Sequence, residues 1–285
     1  MSLLSEKNCL ITGATSGIGK STALALSKMG ANIFFIARNI NKSEELKNEI
    51  TKISGKEPYA IIADLSSQNQ VKQAAAEFKS LNKHLDVLLN NAGIMNTERR
   101  ETEEGLEEVF SVNHLAYFTL TNLLIDEILK SSLKRVINVS SDAHRFLKSI
   151  NFNDLQSENE YKMFIAYGQS KLANILFTKK LSSLYKQKGL TTNCLHPGFV
   201  STSIGSQNEN KPFFPWLIKL VSPLIAKTSD KGAETSIYLC SSEEVSNISG
   251  EYFIDCKKAR TTKGANNAED ADKLWQISLQ LSGLN

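Results

Sequence analysis

Short runs of apolar and β-branched residues recur along the chain, separated by longer stretches in which apolar positions fall every three or four residues. The short runs, 8–12, 32–37, 59–64, 87–90, 135–140, 191–196 and 251–255, are nearly continuous in hydrophobicity instead of alternating, which predicts strands buried on both faces. The longer stretches, 19–29, 43–53, 68–81, 103–129, 167–186 and 231–239, carry the helical period, and a further helix is expected around 272–281. Strand and helix in alternation imply a parallel sheet built by right-handed crossovers, hence a doubly wound α/β fold with helices on both faces. No linker, repeat or low-complexity tract interrupts the pattern, so residues 1–285 read as one domain.

Two connections are long for so regular a pattern, 142–166 and 201–230, and long connections in a compact domain are usually functional. Each follows the carboxyl end of a strand, where open α/β sheets bind ligands. The second opens with Gln207-Asn208-Glu209-Asn210 and continues Lys211-Pro212-Phe213-Phe214-Pro215-Trp216-Leu217-Ile218-Lys219-Leu220-Val221. Such a lining suits an apolar substrate, and a helix packed on the core or on a second subunit is the alternative. Lys219 and Lys227 beside apolar residues also leave peripheral contact with a lipid surface open.

Composition narrows the partners. The chain is 41% apolar and 22% charged, the profile of an ordinary globular protein, and its net charge of +3 is too balanced for a nucleic-acid partner. Cys9, Cys194, Cys240 and Cys256 are widely spaced with no C-x-x-C pair, so neither a metal site nor a disulfide framework is expected, and a reducing cytoplasm is the natural setting. The first ten residues predict no signal peptide. The longest apolar stretch, 213–226, is broken by Pro215, Lys219 and Pro223, so no transmembrane segment is expected.

The candidate chemistry begins at Thr12-Gly13-Ala14-Thr15-Ser16-Gly17-Ile18-Gly19, which follows the first strand and opens a helix. A tight turn at Gly13 and Gly17, close packing at Gly19 and N–H groups aimed outward suit the diphosphate of a dinucleotide. At the end of the second strand Ile36-Ala37-Arg38-Asn39 has no carboxylate for a ribose 2′-hydroxyl, and Arg38 is suited to a 2′-phosphate, which favours NADP(H) over NAD. Asp64-Leu65 after the third strand is placed to contact adenine, and Asn90-Asn91-Ala92-Gly93 ends the fourth strand beside the cofactor. Tyr167 and Lys171, four residues apart, share a helix face, and a nearby cation lowers a phenol's pKa toward that of a general acid or base. Asn113 lies in a long, largely apolar helical segment, and 136–141 is a buried strand ending in the hydroxyls Ser140 and Ser141.

Together, Thr12-Gly13-x-x-x-Gly17-x-Gly19, Asn90-Asn91-Ala92-Gly93, Asn113, Ser140-Ser141, Tyr167-x-x-x-Lys171 and Pro197-Gly198 resemble the short-chain dehydrogenase/reductase superfamily from end to end. More narrowly, Asn138-Val139-Ser140-Ser141-Asp142-Ala143-His144, Ser170-Lys171-Leu172-Ala173-Asn174, His196-Pro197-Gly198, Tyr252-Phe253-x-Asp255-Cys256 and Leu274-Trp275 resemble its retinol dehydrogenase-like branch, which includes retinol/retinal dehydrogenases and related aldehyde reductases.

The resemblance implies a single Rossmann-type domain with seven parallel strands, a substrate lid at about 201–230, and a homodimer or homotetramer. It implies that Tyr167 exchanges the substrate proton, that Lys171 lowers its pKa and holds the nicotinamide ribose, and that Ser141 hydrogen-bonds the substrate oxygen. Asn113 would support a proton relay through water, and Pro197, Gly198, Val200 and Thr202 would line the nicotinamide. Ser140 rivals Ser141, because successive strand residues face opposite ways. His144 and His196 read as structural, since the Tyr/Lys pair already accounts for proton transfer. The expected activity is NADP(H)-dependent interconversion of an apolar alcohol and its aldehyde or ketone. A cofactor-sensing protein without turnover and a reductase of carbon–carbon double bonds, as in protochlorophyllide reductases, are the alternatives.

Overall fold

The computed structural model describes residues 3–198 and 228–284. Its sheet runs in the order β3-β2-β1-β4-β5-β6-β7-β8, with β1 (Asn8–Thr12), β2 (Asn32–Ala37), β3 (Tyr59–Ile62), β4 (Val87–Asn90), β5 (Arg135–Val139), β6 (Thr191–His196), β7 (Tyr252–Ile254) and β8 (Lys257–Lys258). The first seven strands are mutually parallel. The expected seven-stranded sheet is therefore one strand short: β8 pairs antiparallel with β7. The two-residue hairpin between them places Asp255 and Cys256 at φ 48° and 61°, a geometry usually signalled by Asn-Gly, and two exposed lysines leave no hydrophobic trace of a strand.

Both faces of the sheet are covered, which is why its strands read as unbroken apolar runs. Leu10, Phe34, Ile36, Leu88 and Val136 point into one core with Val71, Phe78, Phe118 and Phe177. Their neighbours Cys9, Ile11, Ile33, Phe35, Val87, Leu89 and Ile137 point into the other, with Ala23, Leu26, Leu46 and Leu239. The helices supplying these side chains are α1 (Gly17–Lys28), α2 (Ile40–Ser54), α3 (Gln68–Ser80), α4 (Glu108–Phe110), α5 (Ala116–Leu123), α6 (Ile125–Leu129), α7 (Met163–Tyr185), α8 (Ser229–Ser241) and α9 (Ala268–Ser282). A third cluster joins α7 to Tyr252 on β7 and to Ala271 and Leu274 on α9.

The predicted helix 103–129 is subdivided. It starts only at Glu108, where the Glu107 carboxylate accepts from the amides of Val109 (2.9 Å) and Phe110 (2.7 Å), and it widens into a π turn over Ser111–Leu115. Such a turn inserts one residue into the helical ladder and is frequent at functional sites. The helix predicted from 167 starts earlier, at Met163, so Tyr167 sits in its second turn.

Arg135, the first residue of β5, is buried. Its guanidinium donates to the carbonyls of Leu239 and Cys240 (both 3.1 Å) and Ser242 (2.8 Å), and to Ser246 Oγ (2.8 Å). It caps the carboxyl end of α8, where a cation also meets the negative pole of the helix dipole. Arg135→Leu leaves those carbonyls without a donor and is expected to lower the unfolding free energy by about 3 kcal/mol in urea titration. A loss below about 1 kcal/mol would show that the cap is dispensable.

Candidate active site

The site lies at the carboxyl ends of β1 and β4, paired neighbours whose connections run to opposite sides, the switch point of a doubly wound sheet. Gly13 and Gly17 adopt φ +67° and +52°, so the turn after β1 needs residues without a Cβ. A Cβ on Gly19 would stand 2.2 Å from the Gly13 carbonyl oxygen and 2.5 Å from Nδ2 of Asn91, and one on Gly13 would stand 2.8 Å from Cα of Ala92. The two turns are stitched together by hydrogen bonds. Oγ1 of Thr12 accepts from the amides of Asn91 (2.8 Å) and Ala92 (3.0 Å), while Nδ2 of Asn91 donates to the carbonyls of Thr12 (2.9 Å) and Gly13 (3.2 Å). Thr15 and Ser16 sit at the rim, Ile18 is buried beneath, and the Ser16 side chain makes no cap bond to the first-turn amides of α1. Outward amides at a helix start, with no Cβ in the way, fit a diphosphate.

Beside this turn an open cleft of about 360 Å³ is lined by Arg38, Asn39, Ile62, Ala63, Asp64 and Gln70. Arg38 is exposed, and its guanidinium has no hydrogen-bond or ion-pair partner among the described residues. Asn39 instead uses its side chain to cap α2, accepting from the Lys42 amide at 2.9 Å. Asp64 accepts from the Ser66 amide (2.9 Å) and its own amide donates to Gln70 Oε1 (2.8 Å), which holds that edge of the cleft; Leu65 is buried behind it.

Across the carboxyl end of β5 the two serines separate. Ser140 donates its hydroxyl to the Lys171 carbonyl at 2.7 Å and is buried. Ser141 turns the other way: its hydroxyl accepts from the Ala143 amide at 3.2 Å and is near enough to the Tyr167 phenol to lower its pKa. The ammonium nitrogen of Lys171 lies 5.5 Å from the centre of the Tyr167 ring and donates to the Val139 carbonyl at 3.2 Å. A Cβ on Gly93 would approach it to 3.3 Å, and Asn113 Oδ1 to 3.4 Å, so this glycine permits the crowding. The Asn113 side-chain amide bonds to the Ile94 backbone and to one hydroxyl: Oδ1 accepts from the Ile94 amide (2.7 Å), and Nδ2 donates to the Ile94 carbonyl (2.9 Å) and to Ser170 Oγ (3.0 Å). Pro197 and Gly198 follow β6 next to these groups, the Ser140 amide donating to the Leu195 carbonyl at 2.7 Å. Val200, Thr202 and the segment 201–227 lie outside the described residues.

Burial pushes the Tyr167 phenol up to about 12, with Ser141 pulling the other way, and pulls Lys171 down to about 7. The spacing alone suggested that the cation would bring the phenol toward neutrality. In the folded site desolvation is the largest influence on both and favours the neutral form of each group. His144 donates Nδ1–H to the Ser141 carbonyl at 2.7 Å, a structural contact that steadies the segment bearing Ser141.

Two groups at this site escaped the sequence reading. Tyr117, one turn after Asn113, donates its hydroxyl to the Ala92 carbonyl (2.7 Å), and its ring centre lies 5.8 Å from the Lys171 nitrogen. Asn174 donates to the Asn113 carbonyl (2.8 Å) and the Val139 carbonyl (3.2 Å). Their signal was helical spacing: 113 and 117, and 167, 171 and 174, lie on common faces. Among the described residues no cluster of His, Cys, Asp or Glu is arranged to hold a metal ion, and no helix is long and apolar enough to cross a membrane.

A glycine-turn dinucleotide site joined to a Ser/Tyr/Lys group is the arrangement of a dehydrogenase, and residues 7–212 match the short chain dehydrogenase profile. The chain belongs to the short-chain dehydrogenase family and is an oxidoreductase of its retinol dehydrogenase-like branch. It is 40% identical to retinol dehydrogenase 14 of Homo sapiens over 296 residues, covering 99% of this chain and 88% of that one. To retinol dehydrogenase 12 of Mus musculus it is 38% identical over 280 residues, covering 98% and 87%. Among solved structures it is similar to an uncharacterised protein from Mycobacterium paratuberculosis, with TM-score 0.78, 28% identity and coverage of 98% and 94%. It also shares the fold of a short chain dehydrogenase from Shigella flexneri complexed with NADP, with TM-score 0.67, 24% identity and coverage of 88% and 98%.

His114, next to Asn113 and fully buried, has its pKa lowered by burial to about 4. The unfolded chain therefore takes up this proton near pH 6.5 and the folded one only near pH 4, so the His114 contribution to stability is complete above 6.5 and is lost as pH falls through that window. Relative to His114→Asn, the wild-type protein should lose about 3 kcal/mol more between pH 7 and pH 4 in urea titrations. Parallel curves for the two proteins would contradict the assignment.

Proposed function

We propose that this protein is an NADP(H)-dependent oxidoreductase that interconverts an apolar alcohol and its aldehyde or ketone. The observation that carries the reading is the convergence of Ser141, Tyr167 and Lys171 on one point beside the glycine turn. In this reading the amides after Gly13, with Thr15, Ser16, Gly17, Ile18 and Gly19, hold the diphosphate, and Arg38 and Asn39 hold the 2′-phosphate. Asp64 and Leu65 meet the adenine, and Asn91, Ala92, Gly93, Pro197 and Gly198 border the nicotinamide. The bound nicotinamide supplies or accepts the hydride.

The chain's own residues handle the oxygen. In reduction, Ser141 hydrogen-bonds the carbonyl oxygen and Tyr167 gives it a proton, a direction that suits a phenol which burial keeps protonated. Lys171, protonated from solvent, stabilises the phenolate so formed as an ammonium, and the Asn113 side chain fixes the Ile94 backbone against which Gly93 and Lys171 pack. An apolar substrate is supported by Phe146 and Phe164, 62% and 51% exposed with ring centres 6.3 Å apart, the latter one helical turn before Tyr167. The names of the retinol dehydrogenases point to the same lipophilic class.

Tyr167→Phe should bind NADPH with unchanged affinity by fluorescence titration while losing about 10²- to 10⁴-fold in turnover of apolar aldehydes. Retained turnover would overturn the proton-transfer role. Arg38→Asp should lower the NADPH over NADH preference, measured as the ratio of kcat/KM, by about a hundredfold or more. An unchanged ratio would remove Arg38 from the 2′-phosphate site.

A further inference from the structure

A buried hydrogen-bond chain runs from the last helix to the carbonyl that holds Lys171. Because Nδ2 of Asn174 donates to two carbonyls, the orientation of that amide is determined: turned over, its oxygen would face both carbonyl oxygens. Oδ1 of Asn174 is then purely an acceptor, so Nδ1 of His114, 3.3 Å away, carries the proton. In the neutral ring Nε2 is left as the acceptor, and the Ser278 hydroxyl on α9, 3.0 Å away, donates to it. The chain is Ser278 to His114 to Asn174 and ends on the carbonyls of Val139 and Asn113. His114, Asn174 and Ser278 have no exposed surface.

Packing alone would not select these residues. His114 is surrounded by Phe110, Phe118 and Phe177, where an apolar side chain would serve, and each polar group buried there is costly unless fully paired. The chain ends on two positions of the site: Val139 O, which also accepts from the Lys171 ammonium, and the carbonyl of Asn113 within the π turn. We infer that Asn174, oriented by His114 and Ser278, is a positioning residue that fixes Lys171 and the Asn113 turn, so that α9 helps to set the geometry of the site. The inference rests on the proposed role of Lys171.

The test pairs a readout of Lys171 with turnover. Protein labelled with ¹³C at lysine Cε is titrated by NMR without cofactor, the Lys171 signal being assigned by its loss in Lys171→Met; the titratable neighbours of this nitrogen are Tyr167 and Tyr117. In His114→Leu the Asn174 Oδ1 loses the donor that orients its amide, so Nδ2 is no longer held on the Val139 carbonyl and that oxygen is left to the ammonium, which favours the charged form. The Lys171 midpoint should therefore rise by about half a unit or more.

In the same variant kcat for NADPH-dependent reduction of an apolar aldehyde should fall about ten- to hundredfold, with the Kd for NADPH within about threefold of wild type. His114→Asn, which keeps a donor at the Nδ1 position, should recover most of both, and Ser278→Ala should shift both in the same direction by less. A folded His114→Leu with unchanged Lys171 midpoint and kcat overturns the inference. Should that variant not fold, an unshifted Lys171 signal in Ser278→Ala overturns it instead. Wild-type protein that turns over no aldehyde would defeat the catalytic reading alone, the Lys171 titration still deciding the positioning claim.

Discussion

The contact between the turns that end β1 and β4 is the constraint from which the rest of the site follows. Gly19 approaches the Gly13 carbonyl so closely that no Cβ fits, and Thr12 and Asn91 fill the remaining hydrogen-bonding capacity of the two turns with each other. The start of α1 is thereby pinned with its first amides facing out of the sheet, where an anion is favoured. The same stitching sets Ala92 and Gly93, and through them the Ile94 backbone held by Asn113 and the space into which Lys171 reaches. The turn proposed to cradle a dinucleotide and the group proposed to transfer the proton are two sides of one packed junction.

Behind that junction the interior is polar in an ordered way. Asn90 and Asn138 lie opposite each other on β4 and β5, and their side chains bond to each other at 2.9 Å and on to Thr121 and Thr178. With both amide nitrogens paired, such groups rigidify a core without the penalty of an orphaned donor, Oδ1 of Asn90 alone in this set being left without a partner among the described residues. Burial of this kind also sets the electrostatics of the site, because it keeps Tyr167 protonated and makes Lys171 a group that changes charge near neutral pH.

Much of this was legible in the sequence, for reasons that can be named. β1, β2, β4 and β6 begin and end where their apolar runs do, since burial on both faces leaves a strong, local signal. β8 was not legible, because it is two exposed lysines paired through a hairpin lacking the usual turn residues. The π turn at 111–115 and the late start of α4 depend on Glu107 and on partners far along the chain, which periodicity does not report. At the site, spacing picked out Tyr167 and Lys171 but left Ser140 and Ser141 equivalent. Only the end of β5 at Val139 and the bond from Ser140 to the Lys171 carbonyl separate them. Asn174 and His114 could not be singled out, since a buried asparagine or histidine has meaning only through the atoms it meets.

The central claim, that Tyr167 and its neighbours serve a hydride transfer to a carbonyl carbon, is tested most directly by following the hydride. Wild-type protein would be given an apolar α,β-unsaturated aldehyde and NADPH deuterated at both positions of nicotinamide C4, and the product analysed by mass spectrometry and NMR. The account predicts an allylic alcohol with one deuterium on the carbinol carbon. A saturated aldehyde with deuterium at the β-carbon, or NADPH bound tightly with no product at all, would contradict it.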